Sequence, residues 1–139
     1  MAVNVGQRNV PDTEIVQKCY SVDSALSLLC HTLNCCKNKK LLEDGLKDSV
    51  TDKLVGIATD IYLNAYTANR IRLTTENVAE RDAYQRKAIA KCNELIAMLN
   101  VAKRVFHLRK GKVENWIRLA VGTRELLNKW RDANRKVKS

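Results

Sequence analysis

Apolar residues recur along most of the chain in alternating steps of three and four, the spacing of one face of an α-helix. The first stripe consists of Ile15, Cys19, Val22, Leu26, Leu29, Leu33 and Cys36. The second consists of Leu46, Val50, Leu54, Ile57, Ile61, Ala65, Ala68 and Ile71, beside a further stripe of Val55, Ala58, Tyr62, Tyr66 and Asn69. The third consists of Ala88, Cys92, Leu95, Leu99, Ala102 and Phe106, and the fourth of Val113, Trp116, Ala120, Thr123, Leu127 and Trp130. The pattern predicts four amphipathic helices.

The stretches between these stripes set the predicted boundaries. The helices are expected at about residues 13–36, 43–71, 77–109 and 112–135. Gly111 precedes the last of them, and glycine adopts a left-handed turn at little cost, so a tight turn is expected there. Because the connections are short, consecutive helices should run in opposite directions, which predicts an all-α, antiparallel up-down-up-down four-helix bundle.

Length and composition agree with this fold class. The chain of 139 residues fits one domain, and its only proline is Pro11, which favours long helices over a turn-rich β architecture. We expect a disordered N-terminus over residues 1–12, one domain over 13–135, and a frayed basic tail over 136–139.

The basic residues are concentrated in the last third of the chain. Residues 1–102 contain 13 basic and 12 acidic side chains, a net charge of +1, whereas residues 103–139 contain 12 basic and 3 acidic, a net charge of +9. An anionic partner would therefore dock on the C-terminal third.

The sequence gives little sign of a membrane segment or of disulfides. No apolar run approaches the ~20 residues that span a bilayer, and residues 1–14 lack the apolar core of a signal peptide. Five cysteines, an odd number, favour reduced thiols. We expect a soluble cytoplasmic protein that does not bind membranes.

Motifs for catalysis are missing. A carboxylate-bridged dimetal bundle needs Glu three residues before His, but Leu28 precedes His31 and Arg104 precedes His107 at that spacing. The phosphate-binding glycine motifs do not occur either. The cluster Cys30, His31, Cys35 and Cys36 has no zinc-finger spacing, so we interpret it as packing thiols rather than a metal site. We expect no enzymatic activity, no cofactor and no metal.

Some of the C-terminal cations have an ordinary explanation. Arg109 and Lys110 fall at the end of the third helix, where cations offset the helix dipole. Glu114 with Arg118, and Glu125 with Lys129, have the i,i+4 spacing of surface ion pairs.

Other C-terminal cations have no such structural explanation. Lys112 begins the fourth helix, and the tail contains Arg131, Arg135, Lys136 and Lys138 with a single acidic residue. Arg124 lies between Ala120 and Leu127 on the apolar face. It could extend to the edge of the bundle, or that face could line a subunit boundary or a channel.

Residues 51–71 and 86–136 resemble the Avd-type four-helix bundle proteins, the accessory variability determinants of diversity-generating retroelements. The resemblance rests on the order of the segments Cys-Asn-Glu-Leu-Ile-Ala (92–97), Phe-His-Leu (106–108), Trp116 and Arg-Glu-Leu-Leu-x-x-Trp-Arg (124–131). The loop after the first helix and the residues before the fourth depart from the family's pattern.

This resemblance implies a function. It implies a non-enzymatic protein that forms a homopentamer, associates with a retroelement reverse transcriptase, and binds nucleic acid to support mutagenic cDNA synthesis from template RNA. The candidate contacts with nucleic acid or polymerase are Arg109, Lys110, Lys112, Arg118, Arg124, Arg131 and Arg135, to which the charge of the tail adds Lys136 and Lys138. The alternative is a structural oligomer whose basic face docks an acidic protein.

Overall fold

The computed structural model describes residues 12–37, 47–106 and 110–135. These residues form helices α1 (Asp12–Lys37), α2 (Lys47–Arg70), α3 (Val78–Phe106) and α4 (Lys110–Arg135). The described ranges contain no strand. The prediction of an all-helical fold with four packed helices is confirmed.

Where they can be compared, five helix boundaries differ from the predicted ones by one or two residues: α1 extends one residue further at each end, α2 ends one residue earlier, α3 begins one residue later, and α4 begins two residues earlier. Helix α4 begins at Lys110, two residues early, so Gly111 lies in its first turn, and the left-handed turn expected there is wrong. Helix α2 ends at Arg70. In the segment between α2 and α3, Thr74 accepts hydrogen bonds from the backbone N–H groups of Asn77 and Val78. Asp12, predicted to be disordered with residues 1–11, begins α1. Residues 1–11, 38–46, 107–109 and 136–139 lie outside the described ranges, and with them the rest of the predicted N-terminal disorder, the predicted tail, and the predicted helical residues 43–46 and 107–109.

Each helix packs mainly against its neighbours in sequence, and α4 also packs against α1. Helices α1 and α3 therefore occupy diagonal corners of the bundle. Three polar contacts join α1 to α4: Ser21 to the Leu126 carbonyl at 2.9 Å, Ser24 to Thr123 at 2.7 Å, and Thr32 to Trp116 at 3.0 Å. Three more join α3 to α4, namely Asp82 to Arg131, Asn93 to Arg124, and Lys103 to Glu114.

The predicted apolar stripes of α2, α3 and α4 form the core. The buried members are Leu54, Ile57, Ala58, Ile61, Ala65, Ala68, Ala88, Cys92, Leu95, Leu99, Ala102, Val113, Trp116, Ala120, Thr123, Leu127 and Trp130. Because a single face of each of these helices carries most of the large apolar side chains, periodicity alone located the buried face.

The prediction for α1 is wrong for part of the buried face. Cys19, Leu26 and Leu33 of the predicted stripe are exposed, whereas Val22 and Leu29 are partly buried against the core and Cys36 is buried as predicted. The other buried positions are Ser21, Ala25, Leu28 and Thr32. Helix α1 has apolar residues around most of its circumference, so the spacing did not single out one face. The hydroxyl groups of Ser21 and Thr32 turn inward because α4 offers them hydrogen-bond partners.

The core also contains polar groups at the end where α3 begins and α4 ends. The guanidinium of Arg81 lies 5.3 Å from the centre of the Trp130 ring, a cation–π contact. Gln85 and Asn134 are fully buried, and their side-chain amides make no hydrogen bond within the described residues. Buried unpaired amides lower stability.

Candidate nucleic-acid interface

Helix α4 supplies most of the candidate cations. Lys112, Arg118 and Lys129 are exposed. Arg118 and Lys129 are eleven residues apart, which is three helical turns, so they lie on one outward stripe about 16 Å apart along the axis. No ion pair within the described residues engages these three side chains, so we call them the free cations of α4.

Arg131 forms an ion pair within the protein. Its Nε donates to Oδ1 of Asp82 at 2.7 Å, and its Nη2 donates to Oδ2 at 3.4 Å, a two-pronged contact between α4 and α3. Arg86 also approaches the Asp82 carboxylate, at 3.2 Å. Partly buried and held in this network, the Arg131 guanidinium is less available to an external anion than its position in the sequence suggested.

Arg124 extends to the edge of the bundle, the simpler of the two alternatives for this residue. Its Nη1 donates to Oδ1 of Asn93 on α3 at 2.8 Å. The guanidinium is therefore not an unpaired charge in the core, and its position gives no reason to invoke a channel. Burial raises the pKa of the nearby Cys92 thiol to about 12, an effect that the charge of Arg124 opposes.

The predicted i,i+4 pair on Glu114 is replaced by a contact between helices. Glu114 binds Lys103 of α3 at 3.7 Å rather than Arg118. The other expected pair, Glu125 with Lys129, does not form between these two described side chains. Lys129 was not among the candidates from the sequence, because Glu125, four residues earlier, was expected to pair with it. Its spacing of eleven residues from Arg118 would have indicated that the two cations share one face of the helix.

Five of the candidate residues cannot be placed as side chains. Arg109, Lys136 and Lys138 lie outside the described residues, and Lys110 and Arg135 are described as helical backbone only. Among the described side chains, the candidates divide into exposed Lys112 and Arg118, and the internally bonded Arg124 and Arg131.

The cysteine and histidine cluster separates on α1. Cys30 is exposed, whereas Cys36 is in the core, and the Cys35 sulfur lies 3.4 Å from Nε2 of His31. Burial raises the pKa of Cys35, with the charge of Lys112 opposing it, and raises the pKa of Cys36 to about 11. Such thiols are protonated at neutral pH, which disfavours both nucleophilic attack and metal ligation. The described residues contain no group of three or more potential metal ligands.

The tryptophans of α4 do not accompany its free cations on the surface. Both tryptophans of α4 are buried, at 1% and 0% exposure, so neither can stack on a base. The edge of the His31 ring meets the Trp116 ring at 5.8 Å between centroids, which closes that side of the indole. The exposed Lys and Arg can neutralise phosphates, and the buried tryptophans of α4 add no base stacking.

None of the described helices has the length and apolar character needed to cross a membrane.

Comparison with protein-family models finds no match, and comparisons with curated proteins and with solved structures find none either.

Proposed function

We propose that this protein is a non-enzymatic accessory subunit of a retroelement reverse transcriptase. In this proposal it acts in the cytoplasm as a homopentamer and binds template RNA or cDNA to support mutagenic cDNA synthesis. Two things support the proposal: the sequence resemblance to the Avd-type proteins, and a small four-helix scaffold whose last helix exposes cations that form no ion pair with the described side chains.

We propose further that the bundle has the up-down-up-down topology. Residue numbers rise along α1 and fall along α4 through their shared contacts, from Ser21 with Leu126 to Thr32 with Trp116. Three residues connect α3 to α4, and a fully extended three-residue segment reaches only about 10 Å, against about 39 Å for a 26-residue helix. The short connection, and the contacts that pair rising numbers on α3 with falling numbers on α4, support an antiparallel α3 and α4.

The observation that carries the proposed nucleic-acid contact is the free cations of α4. Each phosphate neutralised by Lys or Arg releases bound counterions, so affinity falls steeply as salt rises. With both tryptophans of α4 buried, contact in this proposal is made to the sugar-phosphate backbone, with little dependence on sequence. This suits a subunit that binds template RNA or cDNA without reading its sequence.

The test replaces the free cations together. In the triple variant Lys112→Gln, Arg118→Gln, Lys129→Gln, the slope of log affinity for single-stranded RNA against log salt should become shallower by about 2, because each lost phosphate contact removes ~0.7. The matched control is Lys37→Gln, Lys53→Gln, Arg70→Gln, which removes three exposed cations from α1 and α2. Fluorescence anisotropy over a series of salt concentrations measures both.

An unchanged slope in the α4 variant, or an equal change in the control, would rule out this surface. A reverse-transcriptase pull-down with Arg118→Glu, Lys129→Glu separates the proposal from acidic-protein docking. Loss of RNA affinity with the polymerase complex intact supports nucleic-acid binding. Loss of the complex with RNA affinity intact supports the acidic-protein alternative instead.

A further inference from the structure

Three side-chain amides lie in the interior at the end of the bundle where α3 begins and α4 ends. Gln85 and Asn134 are both 0% exposed, and neither the nitrogen nor the oxygen of either amide forms a hydrogen bond within the described ranges. Oε1 of Gln17 on α1 is also buried and unpaired among those residues. Buried polar groups in folded proteins nearly always bond to another protein group or to an ordered water molecule, so these amides require a partner.

Gln85 and Asn134 lie close to one contact between α3 and α4. On α3, Arg81 precedes Gln85 by four residues and is also buried. On α4, Trp130 precedes Asn134 by four residues and is also buried. The guanidinium of Arg81 lies 5.3 Å from the centre of the Trp130 ring. Because residues four apart share a helix face, both amides face the core within about one helical turn, ~5.4 Å along the axis, of this contact.

Gln17 reaches the same height from α1. Ser21 donates to the Leu126 carbonyl at 2.9 Å, and the contacts between the two helices pair rising numbers on α1 with falling numbers on α4. Four residues before Ser21 on α1 is therefore level with four residues after Leu126 on α4, which is Trp130. We call the three amide residues the polar layer.

Helix α2 lines the polar layer with small side chains. Seven residues connect α2 to α3 and span about 24 Å at most, less than the ~36 Å length of α2, so the last turns of α2 lie at this end of the bundle. Ala65 and Ala68 of these turns are 0% exposed, as is Ala88, three residues after Gln85 on α3. A methyl group offers an amide no hydrogen bond and takes up little volume. The unpaired polar atoms therefore have small neighbours rather than polar ones on this side.

We propose that the polar layer binds ordered water. Water donates two hydrogen bonds and accepts two, so it can bridge the N–H of one amide and the oxygen of another, and a buried water typically makes about three such bonds. The polar layer supplies three acceptor oxygens and two NH2 groups for this purpose. Globular proteins contain roughly one buried water per 27 residues, or about five in a chain of 139, so hydration of this layer is ordinary for a protein of this length.

The chemistry of the amides selects water over an ion. An anion accepts hydrogen bonds from N–H groups but leaves the three oxygens without a donor. A cation binds the oxygens but leaves the N–H groups unpaired, and the buried guanidinium of Arg81 repels it. Only a molecule that both donates and accepts satisfies every member of the layer, and water is the smallest such molecule.

Bound water links α1, α3 and α4 at this end of the core. Near the other end, the direct bond between Thr32 and Trp116 links α1 and α4 without water. The water site does not involve the free cations of α4, so it goes beyond the proposed function and stands whether or not the protein binds nucleic acid.

Water-selective NOE and ROE spectra of the unmodified chain test the proposal directly. They should show cross-peaks between water and the side-chain NH2 protons of Gln85 and Asn134, with the opposite signs in the two spectra that a long-lived contact gives and proton exchange does not. Asn115 is the control for an exposed amide. Asn64, whose Nδ2 donates to the Asp60 carbonyl at 2.8 Å, is the control for an amide bonded to protein. Neither control should show this pair of signals.

A variant that removes the amides should lose the water. Gln85→Met, Asn134→Leu keeps the approximate size of both side chains and removes four polar atoms that have no partner among the described residues. Magnetic relaxation dispersion of the water signal counts long-lived internal waters, and this count should fall in the variant. The control Asn115→Leu, Asn128→Leu makes a similar change at exposed positions of α4 and should leave the count unchanged. Circular dichroism checks that helix content is retained.

Two outcomes would overturn the proposal. If the amide protons of Gln85 and Asn134 showed NOEs to other side chains and none to water, protein groups would be their partners. An unchanged water count in the folded double variant would contradict it as well, and if that variant does not fold, the spectra of the unmodified chain decide alone. All these measurements are made without RNA. A failure to bind RNA in a separate titration would contradict the proposed function and leave the water site standing.

Discussion

The hydrogen bond between Thr32 and Trp116 links α1 to α4 inside the core. The indole Nε1–H donates to Thr32 Oγ1 at 3.0 Å, and the same hydroxyl donates to the Leu28 carbonyl at 2.8 Å. Both side chains are almost completely buried. The hydroxyl therefore satisfies a buried donor that no water can reach, which gives a threonine in a core stripe a structural role.

Thr32→Val keeps the shape of the side chain and removes the acceptor. It should lower the free energy of unfolding by about 1–3 kcal/mol, the cost of leaving a buried donor unpaired. Chemical denaturation measures the change. Thr67→Val is the matched control, because Thr67 makes the same bond to a carbonyl four residues earlier, at 2.7 Å, but has no second partner. Equal losses in the two variants would show that the indole bond contributes nothing.

At the scale of elements, α2 and α4 each contain a glycine in the middle of the helix. A Cβ built on Gly56 or Gly122 meets no atom within 4 Å, and neither residue has a left-handed backbone. Glycine in a helix interior costs about 0.5–1 kcal/mol relative to alanine, because the unfolded chain is more flexible. Both helices are therefore less stable than they would be with alanine at these positions.

Gly56→Ala and Gly122→Ala should each raise the free energy of unfolding by about 0.5–1 kcal/mol. Their effects should add, since α2 and α4 are diagonal in the bundle and distant sites behave independently. Thermal and urea denaturation of the single and double variants test this. Gly111→Ala serves as the comparison and should gain less, because Gly111 lies in the first turn of α4, where helices fray. A destabilised Gly122→Ala variant would refute the expectation for α4.

At the scale of the whole molecule, the net charge of +10 opposes compactness and association. The described ion pairs leave this net charge unchanged, because each joins a cation to an acid that the sum already includes; among them, Asp82 pairs with Arg131 and Arg86, and Glu94 pairs with Lys91. Exposed ion pairs of this kind contribute little in water. Repulsion among the remaining cations should dominate the response of the fold to salt.

Raising sodium chloride from low to physiological ionic strength should therefore raise the melting temperature by a few degrees, because salt screens the repulsion. Differential scanning calorimetry without RNA measures this, and sucrose at matched osmolality is the control for effects unrelated to charge. A melting temperature that falls with salt would mean that the ion pairs outweigh the repulsion. In the same buffers, RNA affinity should fall as salt rises while the melting temperature rises, so the effects of salt on folding and on binding can be told apart.

The sequence by itself determined the number of helices, the fold class, and the buried faces of α2, α3 and α4. Apolar spacing is sufficient there because residues such as Leu95, Leu99 and Trp130 gather on one face, and burying that face is the main driving force for folding. The local concentration of cations in the last third was equally visible, since composition does not depend on the fold.

Only the tertiary structure decided which face of α1 is buried and which cations are free. Ser21 and Thr32 are buried because α4 supplies hydrogen-bond partners about a hundred residues away, and Leu26 and Leu33 are consequently left exposed. Likewise, Asp82 lies 49 residues before Arg131 and engages it, whereas Lys129 forms no ion pair with the described side chains despite an acidic neighbour one turn away. Such pairings depend on the positions of helices relative to one another, which local spacing along the chain does not encode.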